Sequence, residues 1–445
     1  MKRLRNTLVL AAVAATMAPV SVWAQAAGQG GALPDAVTVL DLLRRLPKGR
    51  PGQGWNGQAV PVALRPAGVP AVIGAVVPEV RPNEVIVTLP AGADGATVLQ
   101  LSRNLNLEGQ TLYTSALLGQ RVVRFRIPDQ RSIETVLQQI AADTRVLIAQ
   151  PHYVYVPSVD AKDQGAAKQV SAPPQYAPDK LHLTDAHKIA QGKRVKIAVI
   201  DSQIDISHPA FAGGITETFD AMGEARSEPE LHGTAIAAIA GGRSGFQGVA
   251  PAASVLGIRA FSSGVKGSAQ SYTLAILKAL DWAVANGARV INMSFAGPED
   301  PLLGKAIAAA DALGVVIIAA AGNGGPNAKP AYPAAFPSVI AVTATDSADE
   351  TYKDANRGAY IAVAAPGVDI MAAAPKGAFD ISSGTSLAAA HISGIAALMI
   401  EKNPKLTSKE VREILSKSAH KLNGKSAEEL GAGIADAAAA VNAVK

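Results

Sequence analysis

Three polar side chains that could act together in catalysis lie in separate segments of the chain. Asp201 follows the apolar run 195–200, His232 lies near the start of a stretch of small residues, and Ser386 begins the run 386–399. A serine hydroxyl attacks at neutral pH only when a general base accepts its proton and an acceptor holds that base in one tautomer. An acid, an imidazole and a hydroxyl together therefore indicate nucleophilic catalysis.

Each of the three residues also has a simpler interpretation when it is considered alone. Asp201 could cap a helix or bind the ribose of a dinucleotide, and His232 could be an ordinary surface histidine. Ser386 could be a helix N-cap, because serine side chains accept hydrogen bonds from the first backbone N–H groups of a helix. Only the presence of all three residue types favours catalysis over these alternatives.

A fourth candidate residue, Asn323, lies in the glycine-rich stretch 319-AAAGNGGP-326. A side-chain amide that is held rigidly can donate a hydrogen bond to an oxygen that becomes negative during a reaction. The same turn could cradle a phosphate, but the dinucleotide motif needs G-x-G-x-x-G leading into a helix, and prolines follow here. We therefore favour an oxyanion donor.

The elements that must position these residues alternate from residue 179 to residue 445. Apolar runs predict strands at 195–200, 255–261, 289–295, 315–321 and 338–344, and helical stretches lie at 269–286, 301–313, 386–402 and 407–417. Nearly continuous apolar strands that alternate with helices are typical of an α/β fold, a parallel sheet with helices on both faces. In such folds functional side chains gather at the carboxyl ends of the strands.

The segment 83–156 has a different pattern and predicts a small separate domain. Strand-like and helical stretches follow one another in the order β-α-β-β-α-β, which is the ferredoxin-like α+β arrangement. The segment contains no cluster of catalytic residue types, and we interpret its one histidine, His152, as structural.

The remaining segments are interpreted as targeting and connecting sequence. Residues 1–24 have a basic start, an apolar stretch and small residues around the final alanine, which indicates a cleaved secretory signal peptide. Residues 25–82 are rich in glycine and proline and predict a flexible spacer, and residues 157–178 predict a second linker. We expect a secreted or periplasmic protein without stable membrane insertion once the signal is removed.

The four candidate residues lie in motifs that together resemble one enzyme family. Asp201 lies in D-S-x-I-D, His232 in H-G-T, Asn323 in A-A-G-N and Ser386 in G-T-S-x-A-A-x-H. These motifs, in this order, are similar to those of the subtilisin family (subtilases) of serine endopeptidases. The resemblance extends across the whole predicted α/β domain.

The resemblance implies a role for each matched residue. Ser386 would be the nucleophile, and His232 would first accept its proton and later give it to the leaving amine. Asp201 would orient His232 and stabilise its charged form. The Asn323 side chain and the Ser386 backbone N–H would bind the oxyanion.

The resemblance also implies a substrate groove and a propeptide. Ser294, Phe295, Ala296 and Gly297 would pair with an extended peptide as an added strand, and Gly322 would form the opposite wall of the pocket for the residue before the cut. The ferredoxin-like domain would be the propeptide, which assists folding and inhibits the peptidase until it is removed by a cut in the second linker. The expected partners are protein or peptide substrates and this propeptide, and we expect a monomer.

Several positions depart from the family pattern. Ala235 replaces a second histidine that is often found there, Ala390 stands where proline is usual, and Gln203 stands where glycine is common. None of them removes a group that the reaction needs. The loop 241–248, which supplies oxygen ligands to calcium in some members, is short here, contains Arg243 and lacks an acid. We expect no required cofactor and no identifiable metal site, and a weak calcium site stays open.

Composition and the remaining motifs weigh against other classes of function. The net charge is +5 with scattered basic residues and only 4% aromatic residues, so nucleic-acid binding is not expected. There is no cysteine, which excludes disulfides and thiolate metal sites. An α/β-hydrolase esterase would need G-x-S-x-G and a different order of residues. A catalytically silent subtilase fold that acts as a binding module remains an alternative, and a failure to cut itself would distinguish it.

Overall fold

The computed structural model describes residues 79–158, 175–223, 228–263 and 269–445. These residues all belong to one compact unit, which lies within residues 48–445. The predicted signal peptide, nearly all of the predicted spacer and most of the predicted second linker lie outside the described residues.

The N-terminal part has the predicted β-α-β-β-α-β order. Its elements are β1 (Val80–Pro90), α1 (Gly95–Leu105), β2 (Glu108–Ser115), β3 (Gln120–Arg126), α2 (Ile133–Ala141) and β4 (Ile148–Pro157). The strands pair antiparallel in the order β2-β3-β1-β4. Both helices bury apolar side chains in a core shared with the sheet, and the side chains of Asp94 and Ser132 cap their starts. The first strand begins at Val80, before the predicted boundary at 83.

The C-terminal part is built on a seven-stranded parallel sheet. Its strands, in spatial order, are β14 (Ile361–Pro366), β13 (Val339–Thr345), β12 (Val316–Ala320), β10 (Val290–Met293), β5 (Lys196–Asp201), β7 (Ser254–Arg259) and β6 (Ile215–Asp220). Shorter strands are β8 (Ser262–Ser263), β9 (Ala269–Tyr272), β11 (Phe295–Ala296) and the hairpin of β15 (Ile370–Ala374) with β16 (Ala378–Ser382). The helices are α3 (Ala177–Lys180), α4 (Leu183–Ala186), α5 (Leu231–Gly241), α6 (Thr273–Ala285), α7 (Pro301–Ala312), α8 (Thr385–Lys402), α9 (Ser408–Ser418), α10 (Ala427–Leu430) and α11 (Ala437–Ala443).

Apolar side chains cover both faces of the parallel sheet. In β5, Ile197 and Val199 lie in one core with residues of α5 and α8, whereas Ala198 and Ile200 lie in another core with residues of α6 and α7. Successive side chains of a strand point to opposite faces, so a strand with both faces buried must be apolar throughout. The predicted parallel sheet with helices on both faces is confirmed.

Several elements differ from the predictions, and three of them bear on the main sheet and the junction between the two parts. β6 and β14 are strands that the predictions do not contain, because β6 is an edge strand with alternating exposure and β14 is rich in alanine. The helix predicted at 269–286 begins only at Thr273, since 269–272 forms β9, which pairs with β4. A pairing between distant segments thus overrides the local helical pattern.

The end of β4 joins the two parts because it lies between two short strands of the C-terminal part. It pairs antiparallel with β9 through Val154 and Tyr155, and with β11 through Val156 and Pro157. The N-terminal sheet therefore continues into the C-terminal part as one sheet.

Candidate active site

Asp201 and His232 meet at the carboxyl edge of the parallel sheet. Asp201 ends β5, and its Oδ1 lies 2.7 Å from His232 Nδ1. The same oxygen accepts a hydrogen bond of 2.7 Å from the Ser202 backbone N–H. Asp201 is buried, with an exposure of 2%, and His232 is mostly buried, with a side-chain exposure of 11%. Because a carboxylate only accepts, the contact places a proton on Nδ1 and leaves Nε2 free to act as a base.

A glycine lets the histidine helix approach the aspartate strand. α5 begins at Leu231, and the Gly233 N–H donates to Ser202 Oγ at 3.0 Å. A Cβ atom on Gly233 would lie 2.4 Å from the Ser202 carbonyl oxygen, so a larger residue would push the helix away. Thr234 connects α5 to the segment after β5 a second time, because its hydroxyl accepts a hydrogen bond from the Asp205 backbone N–H at 3.0 Å. Close packing of helix and strand thus accounts for the H-G-T motif.

Ser386 is the second residue of α8 and does not cap this helix. The N-cap is Gly384, and no side chain caps the first turn. Ser386 is fully buried, and within the described part of the chain its hydroxyl has no hydrogen-bond partner. The N-cap interpretation of Ser386 is therefore wrong, and its hydroxyl is left available for chemistry.

Thr385, the neighbour of Ser386, holds the amide of Asn323. Asn323 Oδ1 accepts hydrogen bonds from the Thr385 backbone N–H at 3.1 Å and from the Thr385 hydroxyl at 2.8 Å. Thr385 Oγ1 in turn accepts a hydrogen bond from the Gly322 N–H at 3.1 Å. These bonds fix the orientation of the amide, and Asn323 Nδ2 is buried without a partner among the described residues.

No sequence pattern predicts a role for Asn356, yet it supports the Asn323 loop. Its side-chain oxygen accepts a hydrogen bond from the Gly324 N–H at 2.7 Å, and its backbone N–H donates to the Gly322 carbonyl at 2.9 Å. Gly322 has a φ of +103°, and a Cβ atom there would lie 2.8 Å from Asn356 Nδ2. Both the backbone conformation and the available space therefore require glycine at position 322.

The predicted substrate wall at 294–297 is tied to the helix of Ser386 by buried hydrogen bonds. Ser294 Oγ donates to the Ser386 carbonyl oxygen at 2.9 Å and accepts from Asn292 Nδ2 at 2.8 Å. Asn292 Oδ1 accepts a hydrogen bond from Ser393 Oγ at 2.9 Å. Asn292 and Ser393 were not predicted, although an asparagine inside the apolar strand β10 is a signal that could indicate such a role.

The residues that end the N-terminal part occupy the groove along this wall. Ser158 donates its backbone N–H to the Ser294 carbonyl at 3.1 Å, and its own carbonyl accepts a hydrogen bond from the Ser386 N–H at 3.3 Å. Tyr155 lies against Gly297, where a Cβ atom would come within 2.4 Å of Tyr155 Cδ1. The Ser386 backbone N–H, which is expected to bind an oxyanion, therefore already donates a hydrogen bond to the carbonyl oxygen of Ser158.

Three buried polar atoms without partners belong to the candidate residues. Of the atoms in the described ranges, Ser386 Oγ, His232 Nε2 and Asn323 Nδ2 are among those that lack a hydrogen bond. Leaving a buried donor or acceptor unpaired costs about 1–3 kcal/mol. α5, which carries His232, packs against α8, which carries Ser386, and Asn323 is bonded to Thr385, the residue before Ser386. A buried hydroxyl, an imidazole paired with a carboxylate, and N–H donors are the groups that a serine hydrolase needs.

Comparison with known proteins identifies the family. The sequence model of the Subtilase family (peptidase S8) matches residues 192–433. Subtilisin E of Bacillus subtilis (strain 168) is 37% identical over 236 residues, which cover 51% of this chain and 61% of that protein. Subtilisin DY of Bacillus licheniformis is 35% identical over 267 residues, which cover 56% of this chain and 93% of that protein. This chain belongs to the subtilase family of serine endopeptidases.

A solved structure gives a similar result for the fold. Fervidolysin from Fervidobacterium pennivorans, described as a keratinolytic enzyme related to subtilisin, matches with a TM-score of 0.67 and 22% sequence identity. The match covers 82% of this chain and 61% of that chain. At this identity the likeness shows the fold alone.

The described residues contain neither a cluster of metal-binding side chains nor a membrane-spanning helix. Within them, no group of three or more His, Asp or Glu side chains is arranged to hold a metal ion. None of their helices is both long enough and apolar enough to cross a bilayer.

Thr385→Val tests whether the threonine orients the Asn323 amide. The change keeps the shape of the side chain but removes the hydroxyl that donates to Asn323 Oδ1, so we expect kcat to fall about tenfold with little change in KM. Thr343→Val in β13 is the matched control, because Thr343 is buried and its hydroxyl has no partner among the described residues. Steady-state kinetics on one peptide substrate compares the two variants, and equal kcat values would contradict the assigned role.

Proposed function

We propose that this chain is the precursor of a secreted serine endopeptidase that hydrolyses peptide bonds through an acyl-enzyme at Ser386. The observation that supports this most directly is the position of Ser158, whose carbonyl oxygen accepts a hydrogen bond from the Ser386 N–H at 3.3 Å. The carbonyl group of a scissile bond would bind in the same position, beside the unpaired Ser386 hydroxyl.

In the first half of the proposed reaction, Ser386 Oγ attacks the carbonyl carbon while its proton passes to His232 Nε2. Asp201 accepts the hydrogen bond from His232 Nδ1 and stabilises the imidazolium that forms. The charge that develops on the former carbonyl oxygen is bound by the Ser386 N–H and by Asn323 Nδ2. The N-terminus of α8 also favours that negative charge.

The second half of the reaction releases the products. His232 gives its proton to the leaving amine nitrogen, the C–N bond breaks, and the acyl group remains on Ser386. A water molecule that gives a proton to His232 then attacks the ester, and the Ser386 hydroxyl is regenerated. Atoms and protons balance with these residues and one water.

We infer that the precursor cuts itself between Ser158 and Val159, within the predicted second linker. The backbone before that bond is held as an antiparallel strand from Val154 to Pro157, as an extended substrate would be. After the cut the N-terminal part would remain bound, because its strand fills the groove, and would act as an inhibitor until it is removed.

The proposed location and partners follow from the precursor organisation. Residues 1–24 have the pattern of a secretory signal, which supports export to the periplasm or the exterior. The proposed substrates are proteins and peptides, and the proposed inhibitor is the N-terminal domain itself. We propose a monomeric mature enzyme that binds neither nucleic acid nor membrane.

Self-cleavage separates a working peptidase from a silent binding module. We expect the wild-type precursor to yield a fragment that begins at Val159, read by mass spectrometry, and a fluorophosphonate probe to label that fragment. Ser386→Ala should stay full length and unlabelled, because loss of its nucleophile costs subtilisin about 10⁶-fold in turnover. Ser418→Ala, a serine change on α9, should behave as wild type. A wild-type chain that stays full length would contradict the proposal.

The N-terminal domain contacts the peptidase domain through a buried histidine. His152 Nδ1 lies 2.7 Å from Glu84 Oε2, and His152 Nε2 accepts a hydrogen bond of 3.3 Å from the Leu274 backbone N–H. Burial lowers the pKa of His152, the hydrogen bond and charge of Glu84 oppose that shift, and the charges of Arg124 and Arg81 add to it. If His152 Nε2 carried a proton, its N–H would face the Leu274 backbone N–H and could not accept a hydrogen bond from it. The contact between His152 and Leu274 therefore requires the neutral imidazole.

This contact predicts that inhibition by the N-terminal domain weakens in acid. In the free domain His152 keeps Glu84, which favours the charged ring, but loses the contacts of the C-terminal part that bury it, and burial is the main cause of its lowered pKa. Affinity is then complete above the free-state pKa and is lost as the pH falls through it towards the bound-state pKa. The separately expressed residues 79–158 should inhibit the mature enzyme in trans, more weakly at about pH 5.5 than at about pH 7.5. In His152→Gln the inhibition constant should be the same at both pH values. A wild-type inhibition constant that does not change with pH would contradict the expectation.

We propose that an arginine holds the loop after α5 where some subtilases bind calcium. The Arg243 guanidinium donates to the Ala253 carbonyl and lies against Gly214, where a Cβ atom would come within 2.7 Å of its nitrogens. The Arg243 backbone N–H donates to the Ala210 carbonyl at 2.8 Å. A guanidinium repels a divalent cation, so these residues do not fit calcium.

Removal of metal ions should therefore leave the fold unchanged. We expect EDTA to shift the Tm of the Ser386→Ala precursor by less than about 1 °C, because no ion that binds only the folded state is lost. Arg243→Ala should lower Tm by about 2 °C, a small effect because the side chain is exposed. Arg103→Ala, at an exposed site on α1, is the control. A large fall in Tm with EDTA that added calcium reverses would argue against this account.

A further inference from the structure

The ring of Tyr155 contacts the wall of the groove that the end of β4 occupies. It is fully buried beside Phe295, with ring centroids 5.7 Å apart in an edge-to-face arrangement. The absence of a side chain at Gly297 makes room for its ring. Since Ser158 supplies the carbonyl at the Ser386 N–H, Tyr155 is the fourth residue before the bond that would be cut.

The pocket that holds this ring has a buried carboxylate, Asp300, at its floor. The Tyr155 hydroxyl donates to Asp300 Oδ2 at 3.0 Å, and the Thr273 hydroxyl donates to the same oxygen at 2.8 Å. Asp300 has an exposure of 0% and is the N-cap of α7, where its Oδ1 accepts from the N–H groups of Leu302 and Leu303 at 3.0 Å. The helix N-terminus and these donors allow a negative charge to stay buried there.

Two of the donors to Asp300 belong to the N-terminal domain. Besides Tyr155, Gln150 Nε2 donates to Asp300 Oδ1 at 2.7 Å. When that domain leaves, Asp300 keeps the N–H groups of α7 and the Thr273 hydroxyl and loses the other two donors. A tyrosine of a substrate can restore the bond to Oδ2, whereas a phenylalanine of the same shape would bury the carboxylate without it. Because phenylalanine would leave Asp300 without this hydrogen bond, the pocket should strongly favour tyrosine over phenylalanine, which differ by one hydroxyl.

We propose that Asp300 makes this pocket selective for tyrosine at the fourth residue before the cut bond. The inference rests on the proposed function, because it assumes that a substrate occupies the groove as residues 155–158 do. Burial and the charge of Asp300 raise the pKa of the Tyr155 hydroxyl well above its usual value, so the phenol remains a donor. The aromatic wall formed by Phe295 suits a flat ring better than the flexible chain of a lysine.

Four substrates of the form acetyl-Xaa-Val-Pro-Ser-aminomethylcoumarin, with Xaa as tyrosine, phenylalanine, lysine or alanine, test the proposal on the mature enzyme. We expect kcat/KM for the tyrosine peptide to exceed that for phenylalanine by about 10- to 100-fold, the range for a hydrogen bond to a charged group. In Asp300→Asn the ratio should fall to about threefold, since asparagine is an equally good N-cap but carries no charge. Asp436→Asn makes the same change at the N-cap of α11 and should keep the wild-type ratio.

The outcomes separate this proposal from the proposed function. If wild type cuts all four peptides and prefers phenylalanine or lysine, or does not discriminate, the selectivity is wrong and the peptidase activity stands. If wild type cuts none of them and remains full length as a precursor, the proposed function itself is wrong. Should Asp300→Asn fail to fold, Tyr155→Phe in the precursor replaces it: self-cleavage after Ser158 should slow about tenfold or more, and an unchanged rate would overturn the proposal.

Discussion

The packing of helix α8 through the centre of the C-terminal domain is the constraint on which the active site depends. Nearly every side chain of α8 is buried, and half of its 18 residues are Ala, Ser, Thr or Gly. Gly394 approaches the segment after α5 so closely that a Cβ atom on it would lie 2.3 Å from Val249 Cβ. A close-packed helix of this kind cannot shift without opening cavities or clashes. Ser386, at its start, is therefore held at a fixed depth beneath the groove.

This rigidity explains how unpaired polar atoms can be kept in a buried site. Each reactive atom lacks a partner, but another atom of the same residue is anchored: His232 by Asp201, Asn323 by Thr385, and the Ser386 carbonyl by Ser294. The cost of each unpaired atom, about 1–3 kcal/mol, is offset by the packing and hydrogen bonds of the surrounding structure. Donors held in this way need no reorganisation when charge develops on a substrate, which is the main source of electrostatic catalysis.

The parts of this arrangement that could be predicted from sequence are those carried by contiguous residues. Asp201, His232, Asn323 and Ser386 each lie in a short motif, and β5, β7, β10, β12 and β13 are apolar runs. What could not be predicted depends on pairing between distant segments. Asn292 and Ser393 are 101 positions apart, and an isolated polar residue in an apolar run does not reveal its partner. For the same reason the local pattern predicts a helix where β9 forms, and no local pattern places the Ser158 carbonyl at the Ser386 N–H.

The junction between the domains shows why one set of contacts can serve both assembly and selectivity. β9 and β11 are short edge strands, and an edge strand presents backbone N–H and C=O groups that need a partner. The end of β4 supplies that partner in this structure, and in the proposed mature enzyme an extended substrate would supply it. Backbone pairing alone would accept almost any extended peptide, because it does not depend on side chains. Selectivity must therefore come from pockets that bind side chains, and Asp300 is a buried carboxylate in one such pocket at this junction, where it contacts a side chain rather than the backbone.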